Sequence, residues 1–289
     1  LLMSLRAIKS LLPELQTQGF DLIHIQTPFV AHYAGRWLAK KMGLPTVVSY
    51  HTLFEAYFEK YLPLVPKTLL RAVARWFSRS QCNEVDRVFS PSRPMQEKLR
   101  DYGITQPIDI VPTGLPLAQF KAPAVNDFRQ KYGIADDETL LLYVGRVAFE
   151  KNIDFLIRMF QYLRKDHDKV KLVIAGEGPA QDKLIKQAAR SDYVKDIIFV
   201  GYMERATELM SCYHASDVFV FASETETQGL VLLEAMACGI PVVSVASMGS
   251  KDVLKHGVGC IVSPLKESSF ARHLGSLIDN PERRQALSD

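Results

Sequence analysis

Apolar residues along this chain gather into short runs rich in Val, Ile and Leu, separated by stretches with helical spacing of apolar and charged positions. The runs predict strands at 20–26, 45–51, 87–91 and 107–111, then at 140–144, 171–175, 196–200, 217–221, 241–245 and 259–262. They are near-continuously apolar and do not alternate, the pattern of strands buried on both faces of a parallel sheet. Strand and helix in alternation predict an α/β fold with helices covering each sheet. Pro112-Thr-Gly-Leu-Pro116 and Pro123 interrupt the rhythm and mark a boundary between two α/β domains, 1–115 and 116–289. The first domain has four predicted strands against six in the second, as if its N-terminal unit were lacking. Consistent with that, Leu1-Leu-Met-Ser-Leu-Arg6 reads as the interior of a helix and has neither the apolar core nor the cleavage site of a signal peptide.

Composition narrows the class. Of 289 residues, 47% are hydrophobic and 23% charged, which is globular usage. No apolar run approaches the ~20 residues that cross a bilayer as a helix. Cys82, Cys212, Cys238 and Cys260 lack metal-ligand spacing, so a reduced, cytoplasmic protein is expected. The net charge of +3 conceals an asymmetry, +5 over 1–115 against −2 over the remainder. Helix-turn-helix and zinc spacings are lacking and the net charge is low, so nucleic acid is not an expected partner.

Three strand ends carry candidate chemistry. Glu226-Thr-Gln-Gly-Leu-Val-Leu-Leu-Glu234 follows the strand at 217–221 and runs into a helix pattern closed by Gly239 and Pro241. A helix start at Gly229 and Leu230 offers amides to a phosphate, and carboxylates suit sugar hydroxyls. Two surface acids would look the same. Gly145-Arg146 and Lys151 follow the strand at 140–144, where open α/β sheets bind ligands. Arg presents a planar fork to phosphate and Lys a point charge; a solvated turn is the alternative. Gly176-Glu-Gly178-Pro permits close backbone approach, or is a plain tight turn.

The ordered set, Gly145-Arg146 with Lys151, then Gly-Glu-Gly-Pro, then Glu-x7-Glu followed by Ala-Met-Ala-Cys-Gly-Ile-Pro-Val-Val, resembles the donor half of a retaining glycosyltransferase of family 4 with the GT-B fold. The resemblance covers residues 108–289 and implies two Rossmann-like domains facing a cleft. It implies Arg146 and Lys151 on the leaving diphosphate, and Gly145, Gly176, Gly178 and the Gly229 and Leu230 amides lining the donor. Glu226 is then beside the sugar, Glu234 on the ribose hydroxyls and backbone near Met203 on the base. It further implies an N-terminal glycine-rich loop and a final helix outside the stretch seen here. Asp136-Asp137-Glu138 is the nearest approach to a metal motif and lies in a turn, so no metal and no cofactor is expected.

The first half holds the expected acceptor side. His51 ends a strand beside Thr52 and Glu55, placed to bond a hydroxyl, move a proton, or simply cap the strand. Tyr50-His-Thr with Glu55, preceded by His24-Ile-Gln-Thr-Pro28, is similar to diacylglycerol glucosyltransferases, which implies a lipid acceptor. From Tyr61 to Asn83 there is no acidic residue; Lys67, Arg71, Arg75 and Arg79 form one stripe, with Leu69, Leu70, Val73, Trp76 and Phe77 expected on the opposite face. Such a helix suits an anionic lipid surface, or packs on a core with its cations solvated. The function expected is hexose transfer from a nucleotide-diphosphate sugar, UDP-glucose first, to a lipid acceptor at the inner face of the plasma membrane. The alternatives are a soluble or polysaccharide acceptor with a UDP- or GDP-sugar, a nucleotide-sugar 2-epimerase, and a non-catalytic sugar-binding or membrane-scaffold protein.

Overall fold

The computed structural model describes residues 5–62, 64–121 and 127–288. They fall into two compact units, Leu1–Thr113 and Gly114–Asp289. The first runs α1 (Leu5–Thr17), β1 (Ile23–Ile25), α2 (Val30–Met42), β2 (Thr46–Ser49), α3 (Phe54–Tyr61), α4 (Lys67–Asn83), β3 (Arg87–Ser90), α5 (Arg93–Asp101) and β4 (Ile108–Ile110). Its four strands pair in parallel in the order β1-β2-β3-β4. The ladders are shorter than the apolar runs because their flanks leave the sheet: Phe20 and Leu22, expected inside the first strand, are exposed before β1. Tyr50 is buried past the end of β2, where its hydroxyl shares a 2.6 Å hydrogen bond with Ser78 of α4.

The second unit runs α6 (Leu117–Lys121), α7 (Phe128–Lys131), β5 (Thr139–Val144), α8 (Ile153–Leu163), β6 (Val170–Ala175), α9 (Gln181–Ala188), β7 (Ile197–Gly201), α10 (Glu208–His214), β8 (Val218–Phe221), α11 (Leu230–Ala237), β9 (Val242–Ser244), α12 (Ser250–Val253), β10 (Cys260–Val262), α13 (Glu267–Ile278) and α14 (Pro281–Ser288). Its parallel sheet has the order β10-β9-β8-β5-β6-β7. Val218 to Phe221 and Leu140 to Val144 are all buried, as strands covered on both faces require. Phe155 of α8 meets Phe270 of α13 edge to face at 5.7 Å, and each such large buried side chain contributes about 1.5–3 kcal/mol. At the amino ends of β5 and β8, Asp217 accepts from Arg129 Nη2 at 2.7 Å and from the Leu140 amide at 2.8 Å, locking the two central strands in register.

That strand order carries the functional consequence. The chain lays down β5, β6 and β7 in one direction, then returns to add β8, β9 and β10 on the other side of β5. The loops leaving the carboxyl ends of β5 and β8 therefore diverge, and open sheets of this kind bind ligands in that crevice.

Candidate functional site

Both loops at this switch point carry the charged residues picked out by sequence. After β5 the chain turns at Gly145, passes the exposed Arg146 and reaches Lys151 in a single 3-10 turn, Phe149–Lys151. After β8 it reaches Glu226. The Lys151 ammonium donates to Glu226 Oε1, both side chains being mostly buried. Asn152 joins the same two loops: held left-handed at φ 53°, it donates from Nδ2 to the Ala222 carbonyl at 3.1 Å. Asn tolerates this conformation better than other non-glycine residues, which explains its place at the turn.

The glycines of the third motif have a structural demand of their own. A Cβ on Gly176 would stand 2.0 Å from the Gly145 carbonyl oxygen, and one on Gly178 would stand 2.3 Å from that of Val147. Main chain also binds main chain here: Val147 N donates to Glu177 O at 2.9 Å and Ala180 N to Val147 O at 3.0 Å. The Gly176–Gly178 turn thus braces the loop carrying Arg146. Its contribution to any ligand is made through that support as well as through its own backbone.

On the other side, α11 opens at Gly229, whose φ of 83° is the left-handed region that favours glycine. Gly229 at the N-cap has no side chain to cap the first amides, an arrangement that suits an anion. One turn in, Glu234 is buried at 2% exposure, yet both its oxygens are occupied. Oε2 accepts from the Tyr213 hydroxyl at 2.9 Å and Oε1 from the Arg205 guanidinium. Arg205 is 64% exposed and closes one side of a cavity of about 390 Å³ lined also by Phe120, Leu209 and Met210. Met203 follows β7 with its side chain packed in the core, so only its main chain is placed to meet a ligand.

His51 lies in the first unit, just past the carboxyl end of β2. Partial burial, and then the neighbouring His24, hold its pKa below the ordinary imidazole value. His24 bonds Ser49 Oγ at 2.8 Å through Nε2, so two histidines share this strand-end region. Glu55 is buried and paired with Arg75 and with Lys98, at 3.1 Å in the latter case, so its carboxylate ties α3 to α4 and α5.

The basic helix packs through only part of its apolar face. Its buried face is Leu70, Ala74, Ser78, Gln81 and Cys82, while Leu69, Val73 and Trp76, on the side away from the cations, are exposed. Small residues at 74 and 78 let α4 lie close to its support, with the cations on one flank of that seam and Leu69, Val73 and Trp76 outward on the other. Two of the four cations are also engaged, Arg71 with Glu59 and Arg75 with Glu55. The surface is mixed, cationic and apolar together, and continues into Leu62 and the 98% exposed Leu64.

Arg205, Tyr213 and His24 received no role from sequence reasoning. Nothing in the spacing of Arg205 or Tyr213 marks either as a partner of Glu234; Asn152, directly after the motif lysine at a helix start, was detectable. Among the described residues no three His, Cys, Asp or Glu side chains gather closely enough to hold a metal ion, and no helix is long and apolar enough to cross a membrane.

Known proteins agree with this architecture. Residues 125–289 match the family Glycosyl transferases group 1, and residues 1–119 match Glycosyltransferase Family 4. An alpha-monoglucosyldiacylglycerol synthase of Streptococcus pneumoniae is 36% identical over 231 residues, which is 78% of this chain and 51% of that protein. The chain therefore spans about half the length of that relative. One of the same name from Acholeplasma laidlawii is 27% identical over 97% of this chain and 72% of its own length. The crystal structure of Anabaena Alr3699/HepE in complex with UDP and glucose superposes with a TM-score of 0.82, covering 98% of this chain and 74% of that one at 18% identity, a likeness of fold. The chain belongs to the group 1 glycosyl transferases.

Proposed function

We propose that this group 1 glycosyl transferase moves a hexose from a nucleotide-diphosphate sugar, UDP-glucose first, to a lipid hydroxyl such as that of diacylglycerol, with retention at the anomeric carbon and without a metal. One observation carries the reading: Lys151 pairs with Glu226 across the two loops that leave β5 and β8, with Arg146 on the first loop and the start of α11 following the second. Two cations and a helix start suit a diphosphate, and carboxylates at 226, half-buried, and 234, buried, suit sugar and ribose hydroxyls.

In the reaction, the bond from the anomeric carbon to the diphosphate oxygen breaks as the acceptor oxygen bonds to that carbon on the same face. The acceptor's proton passes to a donor phosphate oxygen. Negative charge grows on the leaving diphosphate, and Arg146, Lys151 and the amides of Gly229 and Leu230 stabilise it; groups of this kind are worth about 10²–10³-fold each. Glu226 holds the sugar, Glu234 the ribose and backbone at Met203 the base, with Gly145, Gly176 and Gly178 shaping the loops around them. His51, at a strand end of the first unit, is the candidate there for bonding the acceptor hydroxyl or moving its proton.

Two relatives named for glucosyldiacylglycerol synthesis support the lipid acceptor, as does the exposed mixture of Lys67, Arg79, Leu69, Val73 and Trp76 on α4. Each cation near an anionic surface contributes about 1 kcal/mol. With Arg71 and Arg75 partly offset by Glu59 and Glu55, about two net charges remain, so the exposed apolar residues must supply part of the anchoring. The protein would then act as a cytoplasmic, peripheral enzyme at the inner face of the plasma membrane.

A panel of UDP- and GDP-sugars, read by nucleotide diphosphate release with and without diacylglycerol vesicles, tests this. Release from one donor, stimulated by the lipid, supports it. Tight donor binding without turnover would favour a non-catalytic binding protein.

A further inference from the structure

Glu234 is a nearly inaccessible carboxylate with two unlike partners. Oε2 is bonded at 2.9 Å by Tyr213, a fully buried phenol on α10. Oε1 is bonded by Arg205, an exposed cation at the wall of the cavity lined by Phe120, Leu209 and Met210. Tyr213 is immobile by construction, because its ring is enclosed and packs on Phe219 of the sheet at 6.1 Å. Arg205 comes from the surface segment before α10 and can withdraw into solvent without opening the core.

We propose that Tyr213 is a positioning residue for Glu234: it grips one oxygen from inside the fold, so that the other points at the cavity and accepts a vicinal diol of the ligand when Arg205 gives way. The inference rests on the reading of Glu234 as the ribose contact. A lone buried carboxylate is free to turn about its own side-chain bonds, and its value to a diol depends on the orientation of the outward oxygen. The phenol supplies that orientation without competing charge. Burial, followed by the Glu234 charge, pushes the Tyr213 pKa well above its ordinary value, so the hydroxyl remains a donor throughout the working range.

The test compares UDP with 2′,3′-dideoxy-UDP, or the guanosine pair where the wild type prefers GDP, by calorimetric titration. Tyr213→Phe removes only the hydroxyl, and a hydrogen bond to a charged group is worth about 10-fold in affinity. The expected result is a loss of that size for the diol-bearing ligand and almost none for the dideoxy ligand. In a Glu234→Gln background the same substitution should add nothing. Equal losses for both ligands would reduce Tyr213 to a packing residue and overturn the proposal. A wild type that binds both ligands equally would instead remove Glu234 from the ribose and overturn the underlying reading. Should Tyr213→Phe not fold, 3,5-difluorotyrosine at 213 keeps the shape and strengthens the donor. It should tighten the diol ligand alone, and an equal change for both ligands would again overturn the proposal.

Discussion

Gly249→Ala adds one methyl group and nothing else, and the structure gives its effect a size. Gly249 sits at φ −60° and ψ −22°, where alanine is unstrained, so the substitution acts through contact alone. The added carbon would lie 2.0 Å from the Thr227 carbonyl oxygen, 2.2 Å from its carbon and 2.6 Å from the Gln228 nitrogen, all main chain. Rotamer changes cannot relieve such a clash; main chain must move by about 1 Å in an interior packed as densely as a crystal. What moves is the loop from Glu226 to Gly229, which the Gly249 amide already holds through a 2.8 Å bond to the Glu226 carbonyl. Overpacking of this kind destabilises by about 1–3 kcal/mol, and in a unit of this size about 2–4 °C is lost per kcal/mol. Displacing a reacting group by about 1 Å lowers rates by roughly 10²-fold. The assay is nucleotide diphosphate release from the preferred donor, with a melting curve of the same preparation. Both should fall. Wild-type values in both would show that the turn before α12 does not press on the loop. A lowered melting temperature with an intact rate would show that the loop relaxes away from the site, refuting the link between this contact and catalysis.

Lys151→Ala and Glu234→Ala should each lower transfer by about 10²–10³-fold in protein that still melts cooperatively; near-normal turnover in either would remove that residue from the site. Reversing the charges of Lys67 and Arg79 should weaken sedimentation with phosphatidylglycerol vesicles, and Trp76→Ser should do so independently, both without changing the affinity for free nucleotide. Unchanged sedimentation in both would make α4 an ordinary surface helix. Asp196 accepts from Lys171 at 2.7 Å and Arg164 at 2.9 Å. Burial alone would raise its pKa, but those bonds and charges outweigh burial and lower it. Its stabilisation is therefore present above the unfolded carboxyl pKa of ~3.9 and is lost as pH falls below that value. Asp196→Asn should cost about 1–2 kcal/mol near neutrality, with the gap to wild type closing below about pH 4 in urea unfolding; a gap independent of pH would contradict the assignment.

The sheets were legible because buried parallel strands leave continuous apolar runs, and each predicted run overlaps an observed strand. The switch point was legible too, since two chemically loaded loops followed predicted strands. Helix rotation was not. In α4 the face that packs is chosen by close approach at Ala74 and Ser78, and large apolar residues look alike in sequence whether covered, as Leu70 is, or exposed, as Leu69, Val73 and Trp76 are. Long-range pairing was equally hidden. Arg205 and Glu234 are 29 residues apart, and Lys151 and Glu226 are 75 apart. Sequence supplied the candidates for the site, but their pairing follows from topology.

Those pairings bear on how a donor would enter. A carboxylate buried without a counter-charge is expensive, and the cost is several kcal/mol when one partner of a buried pair is removed. Glu226 and Glu234 avoid it in the same way, each holding a cation at the place where the proposed function puts a ligand. Binding a nucleotide sugar would then be an exchange. The diphosphate would draw Lys151 from Glu226 and leave that carboxylate to the sugar hydroxyls, while the ribose would take the Glu234 oxygen now held by Arg205. Each carboxylate would exchange a cation for neutral hydroxyl donors, with Tyr213 still bonded to Glu234, while Lys151 meets the diphosphate and Arg205 returns to solvent. A free sugar or a bare nucleoside offers only half of the exchange. On this account each should bind far more weakly than its share of the intact donor would suggest, and Lys151→Ala should narrow the gap by removing one of the pairs that must open.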